Sequence, residues 1–243
     1  MTGRLEGKRI LITGGSRGLG REFCSTFKGV GAQVAFTWLR NAEGAAETEQ
    51  LCGEARAFQV SVTDAKATRE MVKSLEADWG GIDVLVNNAA VTQNLPVALM
   101  EEEDWDLVMD TNVKGTFLTS RAVLPGMMRR KGGLILNLSS LAGVRMIESP
   151  VHYYTSKAAI KGLTEVLAKE VARHNIRVLA LAPGLLEAGV GRNLPDYKLE
   201  DYLEQNALGR VGTLREVAKL AAFLISDENS YMNGETVVID GGI

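Results

Sequence analysis

The sequence predicts a single α/β domain, residues 1–243, in which helices cover both faces of a doubly wound, parallel, seven-stranded sheet. Three observations support this fold class: a length of 243 residues that suits one domain, short apolar runs that alternate with segments of helical periodicity, and a glycine-rich turn directly after the first apolar run. Regular alternation of strands and helices implies parallel strands joined by right-handed crossovers.

The strands are predicted from short apolar runs that are bounded by turn residues. Residues 9–12 form a continuous run of this kind, which suits a parallel strand buried on both faces. In chain order, the predicted strands are 9–12, 33–37, 55–60, 83–86, 133–138, 176–182 and 236–239. The predicted helices are 21–30, 42–52, 64–79, 101–130, 153–174 and 213–224.

The composition is that of an ordinary soluble protein, with 46% hydrophobic residues, 23% charged residues and a formal net charge of −3. Nothing in it indicates a nucleic-acid surface. Residues 1–8 contain no apolar signal core, and no run reaches the length of a membrane span. Cys24 and Cys52 show no metal-ligand spacing, so we expect two reduced thiols and no metal site. These features predict a cytoplasmic protein.

A glycine-rich loop at residues 13–20 joins the first predicted strand to the helix at 21–30. In this context glycines let the backbone approach a pyrophosphate, while the free N–H groups and the dipole of the helix N-terminus favour the anion. A glycine cluster alone indicates only a tight turn, but its flanking strand and helix favour nucleotide binding. The predicted cofactor contacts in this loop are Gly14, Ser16, Arg17, Gly18, Leu19 and Gly20.

Several polar or glycine-containing segments directly follow predicted strands. They are the glycine loop, residues 87–90, Ser140, and the pair Pro183 and Gly184. Because ligands bind outside the carboxyl ends of parallel strands, we expect these segments to converge on one cleft. Asn88, Ala89, Pro183 and Gly184 are therefore added to the predicted cofactor contacts.

Tyr153 and Lys157 lie four residues apart in a segment of helical composition, and Ser140 stands thirteen residues before the tyrosine. On an α-helix the pair shares one face. A phenol, with a pKa near ~10, becomes a useful acid where a neighbouring cation favours its charged form. Lys157 supplies such a cation, and Ser140 could hold a substrate carbonyl while the phenol delivers the proton. The same spacing also occurs by chance in many helices.

The motifs resemble those of the short-chain dehydrogenase/reductase family over essentially the whole chain. The family's Thr-Gly-x-x-x-Gly-x-Gly loop corresponds to residues 13–20, and its Asn-Asn-Ala-Gly segment to residues 87–90, where Ala90 replaces the last glycine. The resemblance implies a Rossmann-type fold. It also implies a catalytic tetrad of Asn112, Ser140, Tyr153 and Lys157.

By this resemblance, Tyr153 is the acid/base and Ser140 orients the substrate carbonyl. Lys157 lowers the pKa of the phenol and binds the nicotinamide ribose, and Asn112 holds a water in the proton relay. The alternative for Asn112 is purely local, since an asparagine inside a long predicted helix could simply disrupt it or cap a segment.

The resemblance implies a nicotinamide cofactor, and local charge favours NADPH over NADH. Enzymes that select NAD place an acid at the end of the second strand, whereas arginine accommodates the extra phosphate of NADP. Residues 36–40 contain no acid, while Arg17 and Arg40 provide positive charge. Ser61 and Val62, after the third predicted strand, complete the predicted cofactor contacts. Relatives commonly have threonine at the position of Ala188, and its absence could cost about 0.5–1.5 kcal/mol of cofactor binding.

Within the family the chain is most similar to the 3-oxoacyl-[acyl-carrier-protein] reductases, through segments 13–18, 208–212, 231–234 and 240–242. This implies reduction of the β-keto group of a thioester on acyl carrier protein or CoA. Ketoreductases of secondary metabolism and general carbonyl reductases share the motifs and remain alternatives. The basic residues 129–131, with Arg173, could meet an acidic carrier protein, although such a run more often complements a helix dipole.

The resemblance also implies a homotetramer that pairs the helices at 101–130 and 153–174 across subunits, and a mobile substrate flap at about 184–205. Two other classes of function stay open at this point. One is a nucleotide-binding protein without catalysis, which an intact tetrad disfavours. The other is an NAD-linked alcohol dehydrogenase, which the missing acid after the second strand disfavours.

Overall fold

The computed structural model describes residues 4–53, 55–189 and 196–243. Its strands are β1 (Arg9–Ile12), β2 (Gln33–Trp38), β3 (Arg56–Gln59), β4 (Val84–Asn87), β5 (Gly133–Leu138), β6 (Ile176–Pro183) and β7 (Thr236–Ile239). Its α-helices are α1 (Gly18–Gly29), α2 (Ala42–Cys52), α3 (Ala65–Trp79), α4 (Glu102–Met109), α5 (Gly115–Arg130), α6 (Val151–Val171), α7 (Asp196–Gln205) and α8 (Leu214–Leu224). Short 3₁₀ segments occur at Val97–Leu99 and Ala172–His174.

All seven strands pair in parallel in one sheet, in the order β3-β2-β1-β4-β5-β6-β7. The chain winds outward from β1 to β3 and then returns to place β4 on the other side of β1. At this reversal the helices that follow β1 and β4 lie on opposite faces of the sheet, which leaves a crevice at the carboxyl ends of the strands. The predicted doubly wound α/β fold with seven strands is confirmed.

Hydrophobic side chains cover the sheet on both faces. Ile10 and Ile12 of β1 pack into one cluster with Phe23 of α1, whereas Leu11 packs into the opposite cluster with Met127 of α5. Because β1 is buried on both faces, it needs apolar residues at successive positions. The continuous apolar run at the start of the chain therefore fits its central place in the sheet.

Side-chain caps set where two helices begin. Asp64 accepts hydrogen bonds from the backbone N–H groups of Lys66 and Ala67, both at 2.9 Å, so α3 starts one residue after its predicted position. Thr213 and Glu216 form a reciprocal capping box that starts α8. These two helices confirm the predicted segments, and each begins one residue later than predicted.

The structure corrects the predicted helices in three places. Helix α1 begins at Gly18, inside the predicted loop at 13–20 and three residues before the predicted start of the helix. The predicted helix at 101–130 is interrupted by a π-helical turn, Asp110–Lys114, which separates α4 from α5. In addition, α7 is a helix within the segment that was predicted only as a flap, 184–205. Of that segment, residues 190–195 lie outside the described part of the chain, and its action as a flap stays a prediction. In the described parts of the chain, none of the helices is both long and apolar enough to cross a membrane.

Candidate active site

The loop after β1 is shaped by glycines at positions where a side chain would not fit. A Cβ atom on Gly15 would lie 2.5 Å from the Phe36 side chain, and one on Gly20 would collide with the Gly14 carbonyl. Gly14 itself has a φ of +73°, in the left-handed region that glycine tolerates. The loop is thus a narrow backbone cradle of the kind that admits a diphosphate.

Thr13 ties this cradle to the segment after β4. Its hydroxyl accepts hydrogen bonds from the backbone N–H groups of Asn88 and Ala89, both at 3.0 Å. In return, Asn88 Nδ2 donates to the carbonyls of Thr13 at 2.9 Å and Gly14 at 3.1 Å. The predicted contact residues Asn88 and Ala89 are therefore beside the loop, and the Asn88 side chain supports the loop backbone.

The N-terminus of α1 has the features of an anion site. Arg17 precedes the helix in an extended conformation, and no side chain among the described residues caps it. The first backbone N–H groups, at Gly18 and Leu19, are consequently available to a phosphate. Ser16 is buried and Arg17 is exposed, so a hydroxyl and a cation flank this position. The cradle and helix end together fit the diphosphate of a nicotinamide dinucleotide.

The ends of β2 and β3 lie next to this cradle. Arg40 is exposed two residues after Trp38, where β2 ends. Asn41 caps α2 by accepting a hydrogen bond from the Gly44 N–H at 3.0 Å. After β3, the Ser61 hydroxyl lies 2.8 Å from that of Thr63, and Val62 is buried. Exposed positive charge and a turn with hydroxyl groups therefore occupy the part of the cleft where the sequence predicts the cofactor contacts Arg40, Ser61 and Val62.

Asn112 lies in the π-helical turn and points into the protein. Its Oδ1 accepts from the Val91 N–H at 2.8 Å, while Nδ2 donates to the Val91 carbonyl and to Ser156 Oγ, both at 3.0 Å. The local disruption considered for Asn112 is real, since the helix changes type there. The same turn also directs the side chain to a position between the loop after β4 and helix α6.

Tyr153 and Ser140 meet in the cleft. Tyr153 is in the first turn of α6, and Ser140 is the second residue after β5. Burial raises the pKa of the Tyr153 phenol above its ordinary value of 10.0, and a hydrogen bond with the Ser140 side chain opposes that rise. In this structure burial, rather than the charge of Lys157, sets the pKa of Tyr153. The phenol is therefore protonated at neutral pH.

Lys157 is almost completely buried, with a relative exposure of 4%. Its ammonium group lies 5.6 Å from the centroid of the Tyr153 ring and donates a hydrogen bond to the Leu138 carbonyl at 2.7 Å. Burial lowers the pKa of Lys157 from 10.5 to about 8. At pH 7 the Lys157 amine is still protonated in most molecules, so a cation lies beside the phenol, as the sequence predicts.

Pro183 is the last residue of β6, and Gly184 follows it on the other side of the cleft. The Leu141 N–H donates to the Pro183 carbonyl at 2.9 Å, and the Gly184 N–H donates to the Ile239 carbonyl at 2.9 Å. The first of these bonds joins the end of β6 to the loop that carries Ser140. The site residues predicted from different strands are thus brought to one edge of the sheet.

Sequence reasoning missed two hydroxyl groups that bond to carbonyls of α6, one from the loop after β5 and one within the helix. Ser139 Oγ donates to the Lys157 carbonyl at 2.9 Å, and Ser156 Oγ donates to the Tyr153 carbonyl at 2.7 Å. Both serines are buried. The available signal was a polar residue next to a predicted site residue, which is too common to be selective.

The basic cluster at 129–131 sits at the C-terminus of α5. Arg129 and Arg130 both pair with Glu76, at 3.3 and 3.4 Å, and Arg130 also donates to the Ile82 carbonyl just before β4. Within one chain, this cluster is therefore at the opposite edge of the sheet from the cleft. Lys131 and Arg173 are exposed.

Comparisons with known proteins cover the whole chain. A family model described as enoyl-(acyl carrier protein) reductase matches residues 14–243. A 3-oxoacyl-[acyl-carrier-protein] reductase from Thermotoga maritima is 40% identical over 243 residues, 99% of each chain. Reductases with the same description from Vibrio cholerae and Escherichia coli are 35% and 34% identical, and each match covers 98% of both chains.

Solved structures show the same similarity. A short-chain dehydrogenase/reductase from Serratia marcescens superimposes with a TM-score of 0.92 at 28% identity, covering 98% of both chains. A short-chain type dehydrogenase/reductase from Mycobacterium marinum gives a TM-score of 0.90 at 36% identity, covering 98% of this chain and 95% of that one.

Proposed function

The chain belongs to the short-chain dehydrogenase/reductase family and is an oxidoreductase, and on this premise we propose that it uses NADPH to reduce the β-keto group of a 3-oxoacyl thioester to a secondary alcohol. One observation carries the proposal: the protonated phenol of Tyr153 meets the Ser140 hydroxyl beside the buried ammonium of Lys157. The substrate class follows the relatives that match along the full length of the chain.

When bound, the reduced nicotinamide supplies a hydride for the carbonyl carbon. Tyr153 and Ser140 act on the carbonyl oxygen of the substrate. The Ser140 hydroxyl holds that oxygen by donating a hydrogen bond, and the Tyr153 phenol transfers its proton to the oxygen as negative charge develops there. The raised pKa keeps the phenol protonated at rest but also makes it a weaker acid, so the transfer depends on a neighbouring cation that favours the phenolate.

Lys157 and Asn112 support the proton transfer. The Lys157 ammonium stabilises the phenolate that Tyr153 becomes, because it lies 5.6 Å from the centroid of the Tyr153 ring and is itself almost completely buried, where charges interact more strongly than in water. Asn112 holds the backbone of Val91 on both its N–H and its carbonyl, which keeps the loop after β4 in place beside α6. The predicted contact of Lys157 with the nicotinamide ribose and the water held by Asn112 are part of the proposal.

The test is NADPH oxidation, followed by absorbance, with acetoacetyl-CoA and with acetoacetyl-acyl carrier protein. We expect Tyr153→Phe to lose at least about 100-fold in kcat, since a positioned acid typically contributes ~10²–10⁴-fold. Tyr154→Phe is the matched control, because it removes a phenol from the neighbouring position of α6. Equal loss in both variants, or none in Tyr153→Phe, would contradict the proposal.

The exposed arginines Arg17 and Arg40 support NADPH over NADH. Arg40→Asp should lower kcat/KM for NADPH and raise it for NADH, because an acid after β2 repels the phosphate and can bind the ribose hydroxyls. Equal kcat/KM of the wild type for the two cofactors would refute this part of the proposal.

An enoyl thioester is the second candidate substrate, because the matching family model is described as an enoyl-(acyl carrier protein) reductase. Crotonyl-CoA in the same assay separates the two. The Ser140 hydroxyl beside the Tyr153 phenol favours the ketone, since both groups can act on one carbonyl oxygen. Turnover of crotonyl-CoA exceeding that of acetoacetyl-CoA would reverse this choice.

An acidic acyl carrier protein is the proposed partner, with Lys131 and Arg173 as its accessible basic contacts. If they steer the carrier, Lys131→Gln should raise KM for the carrier-bound substrate and leave KM for acetoacetyl-CoA unchanged. Equal effects on the two substrates would exclude a docking role for Lys131.

A homotetramer is the proposed assembly, and the outer faces of α5 and α6 support it. They form an apolar groove with a cavity of about 440 Å³, in which Phe117 and Val166 are 49% and 67% exposed. A monomer in sedimentation velocity would refute the tetramer. The cytoplasmic location stays a prediction from the sequence.

A further inference from the structure

The hydroxyl of Tyr202, on helix α7, bridges the ends of two strands. It accepts a hydrogen bond from the Leu185 N–H at 3.0 Å and donates one to the Asp240 carbonyl at 3.3 Å. Leu185 is the second residue after β6, and Asp240 is the first residue after β7. A single side-chain oxygen therefore holds the backbone that follows Gly184 against the C-terminal segment.

Gly184 is shaped to receive this hydroxyl. A Cβ atom at Gly184 would lie 2.5 Å from the Tyr202 oxygen and 2.9 Å from the Asp240 Cα. Any larger residue must push the phenol or the C-terminal segment away. The glycine thus provides the space in which the bridge forms, in addition to any contact that it makes with a cofactor.

Two further contacts fix α7 in the position that the bridge requires. Asn206, one turn after Tyr202, donates to the same Asp240 carbonyl at 2.7 Å. Near the start of α7, Lys198 forms an ion pair with Glu148, in the loop after Ser140, at 2.7 Å. The position of α7 therefore fixes the Tyr202 phenol. The phenol in turn fixes the backbone groups of Leu185 and Asp240 that bond to it.

We propose that Tyr202 is a positioning residue for the cofactor: through the Leu185 N–H it fixes the backbone at Gly184 and Leu185 in the orientation that accepts the nicotinamide end of NADPH. This inference rests on the proposed function. Without the hydroxyl, the Leu185 N–H loses its acceptor, and the segment can adopt other orientations that do not match the cofactor. The loss falls on cofactor affinity, because Tyr202 does not touch Tyr153, Ser140 or Lys157 through any hydrogen bond between described residues.

The experiment compares Tyr202→Phe with Tyr197→Phe, which removes an exposed phenol from the same helix. The Kd for NADPH is measured by fluorescence titration, and KM for NADPH and kcat are measured with acetoacetyl-CoA. We expect Tyr202→Phe to raise Kd and KM for NADPH about three- to tenfold, the effect of losing one hydrogen bond, with kcat changed less than about twofold. Tyr197→Phe should match the wild type in all three values.

An unchanged Kd in Tyr202→Phe, or a fall in kcat as large as the rise in Kd, would overturn the inference. So would a loss of stability in urea with unchanged NADPH affinity, since that marks a purely structural role. If the wild-type protein does not bind NADPH, both the proposed function and this inference are refuted. If the wild type binds NADPH and Tyr202→Phe binds it equally well, only this inference is refuted.

Gly184→Ala gives a second, independent route to the same conclusion. Its methyl group must displace the Tyr202 hydroxyl, so it should raise Kd for NADPH in the wild-type background. In the Tyr202→Phe background the additional rise should be smaller, because the bridge is already lost. Full additivity of the two substitutions would show that they act independently and would overturn the inference.

Discussion

Replacing Lys157 by methionine should stabilise the protein while it abolishes activity. The fall of the Lys157 pKa from 10.5 to about 8 means that burying the charged form costs about 3 kcal/mol relative to the unfolded chain. Methionine avoids this cost and fills a similar volume. It also removes the hydrogen bond to the Leu138 carbonyl, which offsets about 1–2 kcal/mol. The net expectation is a gain of about 1–2 kcal/mol at pH 7.

Urea unfolding and thermal unfolding measure this gain. For a chain of this size, 1–2 kcal/mol corresponds to a rise in Tm of about 2–8 °C. Lys161→Met is the matched control, because Lys161 is half-exposed one turn further along α6 and pairs with Glu165 at 2.9 Å. Its effect should stay within about 0.5 kcal/mol.

The pH dependence of stability is a second test of whether Lys157→Met stabilises the protein. Between pH 8 and 10.5 the folded protein has lost the Lys157 proton and the unfolded chain has not, so wild-type stability rises with pH in this window. The advantage of Lys157→Met should therefore shrink as the pH increases from 8 to 10. A variant that is less stable than the wild type at pH 7, or an advantage that does not change with pH, would refute the reasoning.

Three other predictions concern the cleft and its supports. Gly15→Ala should destabilise the protein by about 1–3 kcal/mol in urea unfolding, because its methyl group meets the buried Phe36 side chain, whereas Gly29→Ala, with open space around it, should be neutral or slightly stabilising. Asn112→Ala should cost about 2–4 kcal/mol of unfolding free energy, since the buried Asn112 side chain loses three hydrogen bonds; a cost below about 1 kcal/mol would contradict this. Burial lowers the pKa of His152 below its ordinary 6.5, so the unfolded chain binds this proton more readily and stability falls as the pH drops below about 6.5. His152→Gln should reduce that acid sensitivity, and an unchanged pH profile would contradict the prediction.

The glycine loop and the pair Tyr153 and Lys157 could be found in the sequence because their chemistry depends on local spacing. The strand before residues 13–20 and the helix after them restrict the conformations that this loop can adopt. A spacing of four residues on a helix places the Tyr153 and Lys157 side chains on the same face. The interruption around Asn112 was harder to predict. It coincides with three hydrogen bonds between the Asn112 side chain and Val91 and Ser156, which belong to other segments of the chain.

The pKa shifts of Tyr153 and Lys157 also depended on the fold. The sequence suggested that Lys157 lowers the pKa of Tyr153, whereas in the structure burial raises it. Burial acts on both groups because β5, the loop after it and α6 enclose them. No spacing along the chain reports how much water a folded site retains.

By itself, the sequence determined the α/β alternation and the parallel sheet, and it predicted the glycine-rich loop after β1 and the pair Tyr153 and Lys157, because each follows from periodicity or from neighbours within a few residues. Only the tertiary structure decided that Tyr202 of α7 would bridge Leu185 and Asp240, and that Lys198 would pair with Glu148. These contacts join residues 17 to 50 positions apart. Their partners become neighbours only when parallel strands end at the same edge of one sheet, and that arrangement depends on the packing of the whole chain.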